Sequence, residues 1–399
     1  MRKGRPFAVD DKMLSRLAGH TPCYVFDEDV LTERMRACKA IAGDKVNLCY
    51  SIKANPFLIP AMLKLVHTLE VCSPGELEIC HALGVAPEAV LFSGVNKTAA
   101  DINRALDLGV RRFTCESPLH IRLLNEAALS RGLVLPVLLR LTAGSQFGMD
   151  ESDLRAAIAR QQDTPGLEIT GIHYFSGTQQ KRLQGQRKEL LKLAALIDSL
   201  QEELGFTVQK IEYGAGLFFP YFEGEDDSDT LAPLRELAPD LQALAEKCEL
   251  TVEMGRFFAS PCGTYLTAVD DTKVCKGTNI AILDGGMHQV NYYGGSMGMR
   301  VPHMTHLYNG SREDLPEEGW MLCGSLCTTA DVQVRNAVMR GLRPGDVIAF
   351  QNTGAYSVTE APALFLSRKM PDVYLCSDGK LRLVRQGIEA WCLNCPQFN

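Results

Sequence analysis

The sequence predicts an α/β chain: a (β/α)8 TIM-like barrel followed by a β-sandwich or β-barrel domain. Three observations carry this. From residue 30 to 260, short apolar runs rich in β-branched residues alternate with amphipathic segments of ten or more residues, and eight such units can be counted. Polar residues gather where those runs end, the place where barrel enzymes keep their active sites. After about residue 257 the long amphipathic segments give way to short strands separated by Gly, Pro, Asn and Asp turns.

The elements follow in order. TPCYVFD (21–27) is an apolar strand with no helical partner, so it is assigned to the second domain. That domain is then discontinuous, residues 1–29 and 261–399, around a barrel of 30–260. The barrel strands are expected at 47–54, 69–73, 90–94, 112–117, 136–142, 169–177, 210–216 and 250–255. Between them PFLIPAMLKLVHTL, PGELEICHALG, AADINRALDLG and KELLKLAALIDSLQEELG have helical period, several closed by the glycine that ends a helix. Later strands are expected in FFASPCGTYLTAV, NIAILDGG, DVIAFQN, PALFLS, DVYLC and LRLVR.

Composition bounds the function. Of 399 residues 46% are hydrophobic and 22% charged, which excludes disordered and low-complexity classes. A net charge of -7 argues against a surface made to neutralise nucleic-acid phosphates or anionic lipid. The 14 cysteines form no regular framework, so reduced thiols are expected. The N-terminal segment lacks the apolar core of a signal peptide, and no apolar run reaches the roughly 18 residues of a membrane span. A cytoplasmic location follows as the expectation.

Several strand ends carry chemistry. Lys53, in YSIKAN, puts an amine at the barrel mouth, either as a nucleophile activated by desolvation or as a snorkelling side chain. Gly214 and Gly216, in EYGAGLFFPY, suit a phosphate held by backbone N–H groups or a plain strand-to-helix turn. In EMGRFF, Arg256 can pair with a phosphate and Glu253 can keep a heterocycle nitrogen protonated; the two can equally be a rim ion pair. His173 is either a stacking and proton-exchanging group or a satisfied core histidine. His303 with His306, Cys323 with Cys327, and Cys392 with Cys395 have ligand-like spacing but do not make a recognised zinc pattern, and no metal site is expected.

The order of the motifs is more specific than any one of them. Lys53, EVCSPGE, GVNK, SQFGMD, GIHYFSGTQ, YGAGL, EMGRF, CGSLCTTAD and NTGAY, in that sequence, resemble the fold-type III pyridoxal-phosphate decarboxylases, the diaminopimelate and ornithine decarboxylase family with an alanine racemase-like barrel. The resemblance runs from about residue 21 to 386. It implies that Lys53 carries pyridoxal phosphate and His173 stacks on its ring. Gly214, Gly216, Gly255 and Arg256 then bind the cofactor around its phosphate with Tyr356, and Glu253 pairs with the pyridine nitrogen. It further implies that Cys327 serves the active site of a second subunit, in a homodimer with shared sites. Racemases of this fold place arginine at the pyridine nitrogen, so Glu253 favours decarboxylation.

The chain departs from the pattern at the distal end of the substrate. Thr328 follows Cys327 where the family has an acidic residue for a distal amine. In DGGMHQVNYYGGSMG, Tyr292 and Ser296 stand where diaminopimelate decarboxylases carry an arginine and a tyrosine, unless a slip in this glycine-rich stretch hides a functional Arg300. Losing a charged partner for a buried ion costs about 2–5 kcal/mol, enough to change substrate. The resemblance therefore implies an amino acid without a free distal amine, such as a siderophore precursor or a carrier-linked glutamyl group, with Thr328, His288, Tyr292 and Tyr293 as specificity residues. A true diaminopimelate decarboxylase, a racemase and a non-catalytic cofactor-binding protein are the alternatives.

Overall fold

The computed structural model describes residues 11–292 and 298–397, so Tyr293 and Ser296 lie outside the described residues. The chain divides into two compact units. One takes Met1–Arg34, Pro220–Thr230 and Phe258–Asn399; the other takes Met35–Phe219 and Leu231–Phe257.

Strand β1 (Cys23–Asp27) belongs to the first of these units. The second unit is a closed parallel barrel of eight strands. These are β2 (Val46–Ser51), β3 (Thr68–Val71), β4 (Val90–Phe92), β5 (Arg112–Cys115), β6 (Leu135–Leu141), β7 (Leu167–Phe175), β8 (Lys210–Gly214) and β9 (Glu249–Met254), and β9 pairs back onto β2. All eight fall where apolar runs were read in the sequence. Crossover helices begin at built caps: the Ser73 and Ser117 hydroxyls accept from Glu76 and His120 N–H, each ahead of a proline at the first helical position. Thr98 and Asp101 make a reciprocal capping box. The helix Gln184–Leu204 stops at Gly205, left-handed at φ +65°. The long helix expected after β2 is instead two short turns, Pro56–Leu58 and Ile59–Met62, because Pro56 and Pro60 restrict the run.

The first unit is built on a nine-stranded mixed sheet. Its other strands are β10 (Gly263–Cys275), β11 (Thr278–Leu283), β12 (Met304–Leu307), β13 (Glu317–Cys323), β14 (Val332–Arg340), β15 (Val347–Gln351), β16 (Asp372–Ser377) and β17 (Lys380–Arg385). The order is β14-β13-β11-β10-β1-β16-β17, with β15 joining β10 to β12. Strand β1 sits inside this sheet, antiparallel to β10 and parallel to β16, with all five residues buried. Val25, Leu266, Ala349 and Cys376 pack there with Leu14 of the helix Asp11–Arg16 and with Leu17 just after it.

Two expectations are corrected. PALFLS is no strand: Phe365–Ser367 is a 3-10 turn with Leu366 left-handed at φ +56°. FFASPCGTYLTAV becomes strand only at Gly263, after the helix Arg256–Ala259 and the turn Ser260–Cys262.

Candidate active site

The site in the barrel unit grows from strand register. Parallel pairing sets Ser51 beside Glu70 and Cys49 beside Glu253, and side chains two apart share a face. Ser51, Glu70 and Glu253 thus meet at the C-terminal end of the barrel. Lys53 follows in the turn Ile52–Ala54, fixed by Gly255: a Cβ there would lie 2.7 Å from Ala54 Cβ. Its Nζ donates to Glu70 Oε2 at 2.8 Å, approaches Cys72 Sγ at 3.3 Å and stands 3.9 Å from Glu253 Oε1.

Glu253 accepts from Ser51 Oγ at 3.0 Å and contacts His173 Nε2 at 3.0 Å. His173 is 1% exposed and its Nδ1 has no hydrogen-bond partner. Glu70 is the group the sequence reading missed. Burial pushes its carboxyl up, but the Lys53 charge and hydrogen bonds with Glu253, Lys53 and Ser93 outweigh this and hold it well below the usual range. Lys53 is accordingly an ion-paired, partly open amine rather than a desolvated one; its side chain is 39% exposed. Cys72 stays a neutral thiol, because burial and then the Glu70 charge raise it.

The flanking loops are held by buried polar groups. Arg140 pairs with Glu116 at 2.6 Å, Glu116 also accepts from Gly148 N–H at 2.8 Å, and Arg140 lies over Phe147, which together shape the SQFGMD loop. Lys97 donates to the Ser93 and Gly94 carbonyls, and burial lowers it to about 8. At the ends of β8 and β9, Gly214 is pressed on Phe175, and Gly216 is left-handed at φ +57° with no room for a Cβ against the Gly177 carbonyl. Arg256 follows β9 and is buried.

The other expected residues lie in the β unit. Cys327 is an exposed free thiol in the loop after β13, and Thr328 is half-buried, its hydroxyl accepting from Ala330 N–H at 3.3 Å. That loop is organised by buried Asp331, which accepts from Leu326 and Met287 N–H. Tyr356 sits in a turn at φ +66°. His288 is buried, with both ring nitrogens lacking hydrogen bonds among the described residues, and burial lowers it to about 4. Tyr292 is buried in the β unit: it is 1% exposed, edge-on to Tyr221, and its hydroxyl donates to the Gln351 carbonyl. Arg300 is already engaged, paired with Glu225 at 3.0 Å and lying over Phe222. His306 is bonded to Asp346 at 2.9 Å and His303 faces Asp227 at 3.6 Å.

The donor set in the barrel decides what fits. Glu70, His173 and Glu253 hold their donor atoms within 4.8 Å of one another, spacing that suits a metal ion, but the Lys53 amine already faces both carboxylates. An amine for a carbonyl carbon, a carboxylate for a ring nitrogen, a flat imidazole, and glycine turns with a buried arginine for a phosphate suit pyridoxal phosphate instead.

Comparison with known proteins defines the class as a pyridoxal-phosphate-dependent carboxy-lyase. Residues 28–260 match the family described as pyridoxal-dependent decarboxylase, pyridoxal binding domain. Diaminopimelate decarboxylase of Zymomonas mobilis is 28% identical, covering 96% of this chain and 94% of the relative. The L-glutamyl-(BtrI acyl-carrier protein) decarboxylase of Niallia circulans is 27% identical, covering 92% and 91%. Among solved structures, diaminopimelate decarboxylase from M. jannaschii with L-lysine superposes with a TM-score of 0.83 at 23% identity, covering 94% of this chain and 92% of that one. The chain belongs to the pyridoxal-dependent decarboxylase family, of the diaminopimelate and ornithine decarboxylase type.

Proposed function

We propose that this enzyme removes the α-carboxylate of an amino acid whose distal end carries no free amine: a carboxyl-ended, siderophore-precursor or carrier-linked amino acid. The observation that carries the reading is Thr328 beside Cys327, where the resemblance expects a carboxylate for a distal ammonium. Two further observations support it. Arg300, the cation that a shifted alignment would offer to the distal carboxylate of diaminopimelate, is spent on Glu225. The relative from Niallia circulans, as similar as the diaminopimelate decarboxylases, acts on a glutamyl group held by a carrier protein.

Bound pyridoxal phosphate supplies an electron sink for the pair of electrons left when CO2 departs. Each residue then has a defined task. Lys53 holds the cofactor through its Nζ, oriented by Glu70. Glu253 Oε keeps a proton on the ring nitrogen, and Ser51 and His173 fix that carboxylate. His173 would lie against the ring, and Gly214, Gly216, Gly255 and Arg256 would receive the phosphate end, with Tyr356. Cys327 Sγ returns a proton to the α-carbon.

Cys327 performs this in a second copy of the chain, so the enzyme is a homodimer with shared sites. All 14 cysteines are free, which agrees with a reducing, cytoplasmic setting. No helix among the described residues is long and apolar enough to cross a membrane.

The test is CO2 release over a panel of lysine, ornithine, diaminopimelate, citryl-linked amino acids and glutamyl-carrier protein. Turnover is expected on a substrate without a free distal amine. Preference for diaminopimelate overturns the reading in favour of a lysine-forming enzyme.

A further inference from the structure

The N-terminal end of the barrel, opposite the Lys53 site, holds a cavity of about 190 Å³ that decarboxylation does not use. Arg112, Lys210 and Glu249 line it as the first residues of β5, β8 and β9, and Glu212 lies deeper on β8. Glu212 lines this space and is 6% exposed, and among the described residues its buried Oε1 has no hydrogen-bond partner. A buried carboxyl oxygen left unpaired is costly, and it points to something that completes it. Lys210 and Glu249 satisfy each other at 3.0 Å, which leaves Arg112, exposed at the rim, as the uncommitted charge. Leu91, Phe113 and Leu138 form apolar wall between the two ends.

We propose that this cavity binds a small ω-amino acid, its ammonium on the Glu212 carboxylate and its carboxylate on the Arg112 guanidinium. The apolar wall takes the methylene chain, which is why the two charges must sit at opposite ends of the ligand. Size agrees, since a chain of about four carbons fills a large part of a cavity this small. Burial and then the Glu253 charge push the Glu212 carboxyl well above the usual carboxylate range. Glu253, Cys49, Glu70 and Arg112 act on it, and His67, Lys210 and Glu249 line the same cavity. Binding of an ammonium ionises the carboxyl, so one proton leaves as the ligand enters. The proposal is independent of which amino acid is decarboxylated above.

The experiment titrates 4-aminobutyrate into the holoenzyme by calorimetry, in two buffers of different protonation enthalpy, while the visible band of the cofactor is recorded. Saturable binding with proton release and an unchanged visible band is expected. Glu212→Gln and Arg112→Gln should each weaken it by about tenfold or more. Glu212→Gln preserves shape and Arg112 is at the surface, so retained circular dichroism is expected in both. Butylammonium and butyrate should each bind more weakly than 4-aminobutyrate. Absence of binding, a shifted visible band, affinity unchanged in both variants, or equal binding of a one-ended probe overturns the proposal.

Discussion

Replacing Glu70 with glutamine removes a negative charge 2.8 Å from the Lys53 amine while keeping the side chain's shape. At that distance, and with an effective dielectric constant of ~20, the pair is worth about 6 kcal/mol. Lys53 is 39% exposed, so water screens much of this, and about 1–3 kcal/mol remains. That energy holds the ammonium form. Its loss raises the reactive amine fraction roughly 5- to 150-fold near neutral pH, with Glu253 at 3.9 Å limiting the gain. The assay is stopped-flow growth of the visible band when cofactor-free protein meets pyridoxal phosphate below pH 7. Glu70→Gln should react faster by at least about fivefold, and the difference should shrink as pH rises. An unchanged or slower rate, in protein whose circular dichroism is native, refutes the assignment of Glu70 as the group that sets the charge on Lys53.

Three other outcomes are expected. Gly216→Ala forces a left-handed residue and a Cβ onto the Gly177 carbonyl, so cofactor affinity by equilibrium dialysis should fall more than about tenfold, with the barrel still folded. Lys97 is about 8 in the folded state against an ordinary 10.5, so the unfolded chain binds the proton more tightly and the penalty is full below about pH 8. Lys97→Met should therefore gain stability relative to wild type at pH 7, and that advantage should fade between about pH 8 and 10.5 in denaturant melts; a pH-independent gap contradicts this. Mixing inactive Lys53→Ala with inactive Cys327→Ser protein should restore up to about a quarter of wild-type turnover, since half of randomly assorted dimers carry one intact shared site. No recovery contradicts shared sites.

What the sequence showed depended on whether the signal was local. The eight barrel strands are buried on both faces, so they read as short apolar runs between amphipathic segments. Strands β13 and β14 were missed because they are open on one face and their apolar runs are interrupted. Strand β13 starts with the exposed Glu317 and Glu318, while β14 carries Arg335 and Arg340 and leaves Val338 65% exposed. PALFLS has strand composition, but a left-handed Leu366 turns it. Lys53, His173 and Glu253 were legible as polar residues closing apolar strands, and the structure brings these three together. Glu70 was not, because its partner is 17 residues away and only the β2–β3 register joins them. The same register rule, applied to EVCS beside CYSIK, is the signal that finds it. The burial of Tyr292 was not legible either, because a tyrosine in a glycine-rich segment looks exposed, whereas its ring is buried in the β unit.

The measurement that tests the central claim most directly is borohydride reduction of the holoenzyme followed by peptide mapping. The account predicts a single pyridoxyl label on Lys53, lost together with the visible band in Lys53→Ala. A label on Lys97 or another lysine, or no label on any lysine, contradicts it.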